Sequence, residues 1–250
     1  MKPKLIRAYI TAKKQLNPDT FSLELKTSGL RLQPGHFFEI RTSDTYDPYL
    51  NRPISVAGYQ RSRLLLIIRK AGRGTTLLHE KNTGDRILML GPMGKGIIPK
   101  KKRTLVIAGG IGIAPLYFLA HNLTVGKIPF SLIYGVRNHG DHILISELKR
   151  ICSDLILVCE RGAKKKVTAL DVLKNMDLAK YDIIYACGPK AMFVELQRMK
   201  FDQPIYVFCE DFLGCGCGIC IGCAIKIKGT YKRICIDGPV FNLKEIDFNV

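Results

Sequence analysis

Five cysteines stand close together near the C-terminal end of the sequence, and their side chains offer the clearest chemistry in the chain. They are Cys215, Cys217, Cys220, Cys223 and Cys235. Four of them follow the spacing C-x4-C-x2-C-x11-C, whose first part is typical of plant-type [2Fe–2S] sites. Because four thiolates hold the two irons of such a cluster, the pattern predicts Cys215, Cys220, Cys223 and Cys235 as its ligands. Cys217 falls outside this spacing.

A metal or redox site explains these cysteines better than disulfides do. The chain has nine cysteines, and in a reducing compartment a local group of thiols points to metal or redox chemistry. A zinc site is an alternative, although structural zinc sites usually pair two short C-x2–4-C units and Cys235 stands alone. Structural or reactive thiols are a third interpretation. The intervening glycines would let the backbone wrap closely around a cluster; they are Gly214, Gly216, Gly218 and Gly222.

Two glycine-containing motifs indicate a nucleotide site. Residues 107–115 have the pattern of a strand, a glycine-rich turn and a helix start, where backbone N–H groups suit a pyrophosphate. The order Gly-Gly-x-Gly departs from the strict Rossmann pattern, and close packing of a helix on a strand also selects glycine. Residues 185–189 end a later strand, at the edge where ligands of open α/β sheets bind. The predicted nucleotide-binding residues are Gly109, Gly110, Gly112, Cys187, Gly188 and Pro189.

A third group of candidates lies in the N-terminal part of the chain. Arg52 could hold a diphosphate through two hydrogen bonds, and Ser55 could bond to a planar ring beside the rigid Pro53. Segments 72–75 and 91–94 are expected to be glycine loops with free N–H groups, although barrel corners also need glycine. The predicted binding residues of this group are Arg52, Pro53, Ile54, Ser55, Gly72, Gly74 and Thr75.

The secondary structure that must position these groups divides the chain into two large parts and a short C-terminal segment. The chain has 250 residues, of which 47% are hydrophobic and 24% charged, enough for one large or two modest packed domains. Six short strands before residue 98 predict an antiparallel barrel. From residue 104, strands alternate with helices, which predicts a doubly wound parallel sheet with helices on both faces. The predicted units are 1–98, 99–209 and a small cysteine-containing unit, 210–250.

Charge and hydropathy narrow the classes of partner. The net charge of +18 would attract phosphorylated cofactors, an acidic protein or nucleic acid. The basic residues are scattered and lack interleaved aromatics, so nucleic-acid binding is not expected. The sequence shows neither an unbroken apolar run of membrane-spanning length nor the apolar stretch of a signal peptide. We therefore expect a soluble, cytoplasmic protein that does not enter a membrane.

Taken in order, these motifs resemble the flavin-binding ferredoxin reductase family along nearly the whole chain. The most similar branch is the iron–sulfur one, the electron transfer subunits of class B dihydroorotate dehydrogenase. Residues 52–55 and 72–75 resemble its flavin motifs, and residues 109–112 and 187–189 its pyridine-nucleotide motifs. The segment 215–223, together with the ending 231–241, resembles its cluster domain.

The resemblance implies a set of cofactors and a partner. It implies FAD on the barrel, with Arg52 on the diphosphate, the segment 53–55 beside the isoalloxazine, and Gly74 and Thr75 near the phosphates. NAD(H) would bind at residues 109–114, with Cys187 near the nicotinamide, and the four spaced cysteines would ligate the [2Fe–2S] cluster. The implied partner is an FMN-containing dihydroorotate dehydrogenase catalytic subunit, in a heterotetramer that serves pyrimidine biosynthesis.

Two departures from the family pattern leave alternatives open. Cys217 stands where the family commonly has an apolar residue, which leaves one alternative ligand. In the segment 160–166, Glu160 could bind a ribose 2′-hydroxyl and favour NAD, whereas Arg161 and Lys164 could bind a 2′-phosphate and favour NADP. The same module could also serve a hydrogenase or a bifurcating NADPH–ferredoxin oxidoreductase. A zinc-binding, nucleic-acid-associated regulator is a more remote alternative.

Overall fold

The N-terminal unit is a closed, six-stranded antiparallel barrel, as the sequence predicted. The computed structural model describes residues 3–161 and 167–248. The barrel strands are β1 (Lys4–Asn17), β2 (Thr20–Lys26), β3 (Phe37–Ile40), β4 (Arg52–Gln60), β5 (Arg63–Arg69) and β6 (Arg86–Met93). They close in the order β1-β2-β5-β4-β3-β6. Alternate residues of a strand point inward, so Phe21, Leu23 and Leu25 of β2 are fully buried in the barrel core.

Two segments that the sequence predicted as open loops are regular structure. The segment 72–75 begins helix α1 (Arg73–Glu80), and the segment 91–94 lies largely within β6. Gly72 is the N-cap residue of this helix, and Gly74 lies in its first turn, where glycine lowers helix propensity. The sequence therefore shows no clear helical pattern there. The helix forms because it buries Leu78 completely against the barrel. The expected loops with free N–H groups are therefore a wrong prediction.

The second unit alternates strands and helices and has the predicted layers. Its strands are β7 (Thr104–Gly109), β8 (Phe130–Val136), β9 (Asp154–Cys159), β10 (Ile183–Cys187) and β11 (Ile205–Phe208). Its helices are α2 (Ile113–Val125), α3 (Ile145–Ile151), α4 (Ala169–Lys174) and α5 (Lys190–Arg198). The five strands are parallel to their neighbours. Helices α2 and α3 pack in one core cluster, and α4 and α5 pack in another on the opposite face.

The C-terminal segment forms a small hairpin and then returns to the sheet. It contains β12 (Ala224–Ile227), β13 (Thr230–Arg233), α6 (Ile234–Asp237) and β14 (Val240–Asn242). Strand β14 pairs antiparallel with β11, which gives the sheet order β14-β11-β10-β7-β8-β9. The boundary at 209/210 stays a prediction, and the last strand of the C-terminal unit completes the sheet of the preceding one.

No helix within the described parts of the chain is long and apolar enough to span a bilayer.

The return of the C-terminal segment generates a test of stability. Phe241 of β14 is 9% exposed, and its ring packs in the core beneath the sheet. We expect Phe241→Ala to lower the free energy of unfolding by about 3–5 kcal/mol, because it removes a buried aromatic ring and leaves a cavity. Chemical denaturation of the purified chain measures this loss. Tyr231→Ala, at a 63% exposed position of β13, is the matched control and should cost less than about 0.5 kcal/mol. Equal losses in the two variants would contradict the anchoring role of β14.

Candidate functional site

The predicted flavin motif at residues 52–55 and the nucleotide motif at residues 107–115 meet at a cavity of about 260 Å³ between the barrel, the sheet and the C-terminal segment, whereas the motifs at 72–75 and 185–189 do not line it. The barrel lines it with Pro53, Ile54 and Ser55, and the start of α2 lines it with Ala114 and Pro115. A third side is lined by Cys209, Glu210, Asp211 and Leu213. An apolar cavity with a few polar groups where three units join is a usual place for a ring-shaped cofactor.

Beyond this cavity, Arg52 lies directly on the start of α1. A Cβ atom at position 74 would lie 2.6 Å from Arg52 Nε, so only glycine allows this approach. Arg52 Nη1 donates to the carbonyls of Leu50, at 2.6 Å, and Asn51, at 3.1 Å. The guanidinium and a helix N-terminus thus stand side by side, which suits a diphosphate.

The hydroxyl of Thr75 closes the turn that precedes α1. Thr75 Oγ1 accepts hydrogen bonds from the N–H groups of Ala71, at 2.9 Å, and Gly72, at 3.2 Å. These two N–H groups therefore have partners within the chain, contrary to the expectation of a free loop. The structure places Gly72, Gly74 and Thr75 together beside Arg52, and their contact with a cofactor stays a prediction.

The glycine turn after β7 packs against the turn after β10. The two strands are neighbours, with Ala108 opposite Cys187. A Cβ atom at Gly112 would lie 2.4 Å from the Cys187 carbonyl oxygen, so close packing explains this glycine. A Cβ atom at Gly109 would lie 3.2 Å from Pro189 Cδ, a tight contact that small shifts could relieve. Gly110 differs, because its φ of +55° favours glycine while a Cβ atom there would meet nothing within 4 Å.

This arrangement leaves a crevice at the carboxyl ends of the strands. Strands β8 and β9 lie on one side of β7, and β10 and β11 lie on the other. A reversal of strand order of this kind is where open α/β sheets bind their ligands. The predicted set Gly109, Gly110, Gly112, Cys187, Gly188 and Pro189 surrounds this crevice, and nucleotide contacts by these residues stay a prediction.

Glu210 is a site residue that the sequence did not single out. Its Oε1 lies 3.9 Å from Sγ of Cys187, and both residues stand at the carboxyl ends of β10 and β11. Burial raises the pKa of the Cys187 thiol well above its usual value, and Glu210 adds to this effect. Burial also raises the pKa of Glu210, which Arg69 opposes. The signal that could have found Glu210 is its position just beyond a strand end, like that of Cys187.

The four spaced cysteines stand as two pairs. Cys223 and Cys235 are buried, with their sulfurs 3.3 Å apart. Cys215 Sγ accepts a hydrogen bond from the Cys220 N–H at 3.4 Å, and Cys220 is exposed. In the described residues, no three His, Cys, Asp or Glu side chains converge on a point that could hold a single metal ion. A [2Fe–2S] cluster takes two thiolates on each iron, so a two-by-two arrangement fits its donor set.

Backbone N–H groups surround the Cys215 sulfur and favour its thiolate. Burial alone would raise the pKa of Cys215, but hydrogen bonds from Cys220, Cys217 and Ile219 outweigh it and lower the pKa to about 6. Burial, followed by the Cys223 thiol, raises the pKa of Cys235 to about 12. Metal binding releases a thiol proton, so the lower pKa favours the ligand form of Cys215 over that of Cys235.

Cys217 lies within the same loop but on its own. Burial raises the pKa of its thiol, and a hydrogen bond with Cys215 adds to the effect. Because the pKa of the predicted ligand Cys235 is raised as well, this rise does not set Cys217 apart, and the argument against Cys217 is its place outside the spacing. The choice among these five cysteines stays a prediction.

The residues that bear on the choice of NAD or NADP are only partly described. Glu160 and Arg161 follow β9, and their N–H groups donate to the carbonyls of Val136 and Arg137 at 3.0 Å each. Both residues therefore lie beside the end of β8, at the same edge as the glycine turn. Lys164 lies outside the described residues.

Comparisons with known proteins agree with this architecture. Residues 106–198 match the oxidoreductase NAD-binding domain, and residues 210–247 match the iron–sulfur cluster binding domain of dihydroorotate dehydrogenase B. Among solved structures, one of an NADH-dependent reduced ferredoxin–NADP oxidoreductase has a TM-score of 0.84 at 27% identity, covering 97% of this chain and 90% of that one. Phthalate dioxygenase reductase shares the fold, with a TM-score of 0.68 at 17% identity over 89% of this chain and 86% of its own.

Curated relatives match over most of their length. The dihydroorotate dehydrogenase B (NAD(+)) electron transfer subunit of Geobacillus thermodenitrificans is 33% identical, and the match covers 86% of each chain. The subunit of the same name from Desulforamulus reducens is 34% identical, over 95% of this chain and 96% of its own. The oxidoreductase class and the ferredoxin reductase-like fold predicted from the sequence are confirmed. The chain belongs to the family of electron transfer subunits of dihydroorotate dehydrogenase B.

Proposed function

We propose that this chain carries electrons between NAD(H) and an FMN-containing dihydroorotate dehydrogenase catalytic subunit, in a cytoplasmic heterotetramer of pyrimidine biosynthesis. The observation that carries the proposal is the single cavity where the flavin motif, the glycine turn and the cysteine-bearing segment meet. A bound FAD exchanges two electrons at once with a nicotinamide and single electrons with a [2Fe–2S] cluster, so it supplies the conversion between the two.

The residues of the chain would bind the cofactors and orient their rings. Arg52 and the start of α1 would hold the FAD diphosphate, and the segment 53–55 would line one face of its ring. Cys187 and Glu210 would face the nicotinamide, where the raised pKa of the Cys187 thiol keeps that group uncharged beside the ring. No side chain would be needed as a general acid or base, because the bound cofactors would supply the hydride chemistry themselves.

The surface around the cysteine loop supports transfer to a protein partner. Residues 212–225 include no charged side chain, although the whole chain carries +18. Phe212 is 92% exposed, and Ile219 and Ile221, the chain neighbours of the exposed Cys220, are 80% and 62% exposed. Exposed apolar groups of this kind usually mark a protein contact. We therefore assign this surface to the catalytic subunit, which would receive electrons close to the cluster.

A second candidate function rests on one specific similarity. The oxidoreductase with a TM-score of 0.84 comes from a study of flavin-based electron bifurcation. The same module would then deliver electrons to a ferredoxin–NADP reductase partner. Isolation of the chain with its native partner separates the two functions: an FMN protein that oxidises dihydroorotate supports the first, and an NADPH-oxidising flavoprotein supports the second.

The ligand assignment is tested by single substitutions in the cysteine loop. We expect Cys220→Ser to lose the cluster, because it removes one of two thiolates from an iron, whereas Cys217→Ser retains it. Iron and acid-labile sulfide assays on anaerobically purified protein measure both. Full iron in Cys220→Ser, or its loss from Cys217→Ser, would overturn the assignment.

The role of Arg52 is tested by flavin binding. We expect Arg52→Ala to weaken FAD binding by about 10- to 100-fold, since charge-assisted hydrogen bonds contribute about 1.5–3 kcal/mol. Titration of flavin-free protein with FAD, followed by fluorescence, measures the change. Arg63→Ala is the control: Arg63 is an exposed arginine on β5 whose guanidinium pairs with Glu24 at 3.8 Å. Unchanged affinity in Arg52→Ala would remove Arg52 from the flavin site.

The proposed partner surface is tested by an exposed apolar residue. We expect Phe212→Ser to weaken binding of the catalytic subunit at least about tenfold, as loss of an aromatic anchor does at interfaces. Reduction of a small dye by NADH should stay unchanged, since no partner is needed for it. Ile98→Ser, at a 76% exposed position before the sheet, is the control. Equal binding by both variants would exclude this surface.

A further inference from the structure

Glu39 is a buried carboxyl group without a hydrogen-bond partner. It lies in β3 and is 1% exposed. It is the one acidic residue among the buried polar residues of the described chain. Neither Oε1 nor Oε2 has a hydrogen-bond partner among the described residues. Most buried polar atoms in proteins are paired, so an unpaired carboxyl group calls for an explanation.

The position of Glu39 joins the flavin strand to the cysteine loop. In the barrel, Glu39 pairs with Pro53 of the predicted flavin motif. Residues paired in this way have their side chains on the same face of the sheet. On that face, a Cβ atom at Gly216 would lie 2.5 Å from Glu39 Cγ and 2.7 Å from Oε1. Gly216 directly follows Cys215 and has a φ of +64°. The carboxyl group therefore touches the turn that presents the Cys215 sulfur.

This contact is costly for folding. An unpaired polar group in the protein interior costs about 1–3 kcal/mol, and a leucine would fill the same space without that cost. Burial, followed by the Cys215 sulfur, raises the pKa of Glu39 to about 7, and the Arg52 guanidinium opposes this rise without a hydrogen bond to the carboxyl group. Packing alone gives no reason for a carboxyl group here. Its place beside a redox site does, because a charge acts strongly on its neighbours where little water screens it.

We infer that Glu39 acts through the Cys215–Gly216 turn to lower the reduction potential of a cluster bound there. The ionised form of Glu39 opposes the arrival of an electron, and burial keeps this effect unscreened. Glu39 is thus a positioning residue that does not itself ligate iron. The inference rests on the proposed cluster site and adds to it a residue from the barrel, which no cysteine spacing could reveal.

The test compares the reduction potential of the cluster in variants of the full chain that carry flavin and iron. Glu39→Gln and Glu39→Leu remove the charge, and Glu39→Asp keeps it. Glu24→Gln, which changes a 40% exposed carboxylate on β2, is the matched control. Potentiometric titration followed by the electron paramagnetic resonance signal of the reduced cluster gives the midpoint potential. We expect a higher potential in the glutamine and leucine variants, a value near that of the parent in the aspartate variant, and no change in the control.

Iron and sulfide assays separate the failure of this inference from the failure of the proposed function. A parent protein that holds no iron would contradict the cluster site itself. With the cluster present, an unchanged or lower potential in Glu39→Gln and Glu39→Leu would overturn the role of Glu39. Loss of iron from both, with iron retained in Glu39→Asp, would also overturn it, because Glu39 would then serve cluster assembly. A merely structural role would alter thermal stability and leave the potential unchanged.

Discussion

The return of the C-terminal segment to the body of the protein is the constraint on which the site depends. Strand β14 pairs with β11, and Cys209 N–H donates to the Pro239 carbonyl at 2.9 Å. The same segment is bonded to the barrel, since Gly94 N–H donates to the Cys235 carbonyl at 3.0 Å. These backbone hydrogen bonds place the cysteine loop against both larger units. Without them, a glycine-rich loop of this kind would have no defined position relative to the flavin motif.

Glycine serves two different purposes in this molecule. At positions 74 and 112 it allows a backbone and a guanidinium, or two backbones, to approach more closely than a Cβ atom would permit in this arrangement. At positions 110 and 216 it permits a positive φ. The first purpose assembles the walls of the crevice and of the predicted diphosphate site. The second lets the chain turn sharply after β7 and within the cysteine loop.

Charge and polarity are also divided between the units. The uncharged loop 212–225 contrasts with a chain that carries +18. Of the acidic groups at the site, Glu39 touches the cysteine loop and Glu210 approaches Cys187. Glu39 is buried and affects its neighbours more than an exposed carboxylate would, whereas Glu210 is itself exposed. The electrostatics of the site therefore come from few residues.

Local sequence patterns were enough to predict the fold class and the candidate residues for each cofactor. The spacing of Cys215, Cys220 and Cys223, and the strand–turn–helix pattern at residues 107–115, are local features that a short stretch of chain encodes. Helix α1 was not predicted from the sequence, because Gly74 lowers the helix propensity of the segment. The helix forms because its packing on the barrel buries Leu78.

Which of these residues contact one another depends on how the whole chain packs. The pairing of Cys223 with Cys235, the approach of Glu210 to Cys187 and the contact of Glu39 with Gly216 each join residues that are distant in sequence or lie on different elements. Such contacts depend on the closure of the barrel and on the pairing of β14 with the sheet. The physical reason is that periodicity specifies which face of an element is buried, while the partner of that face is set by how all elements pack together.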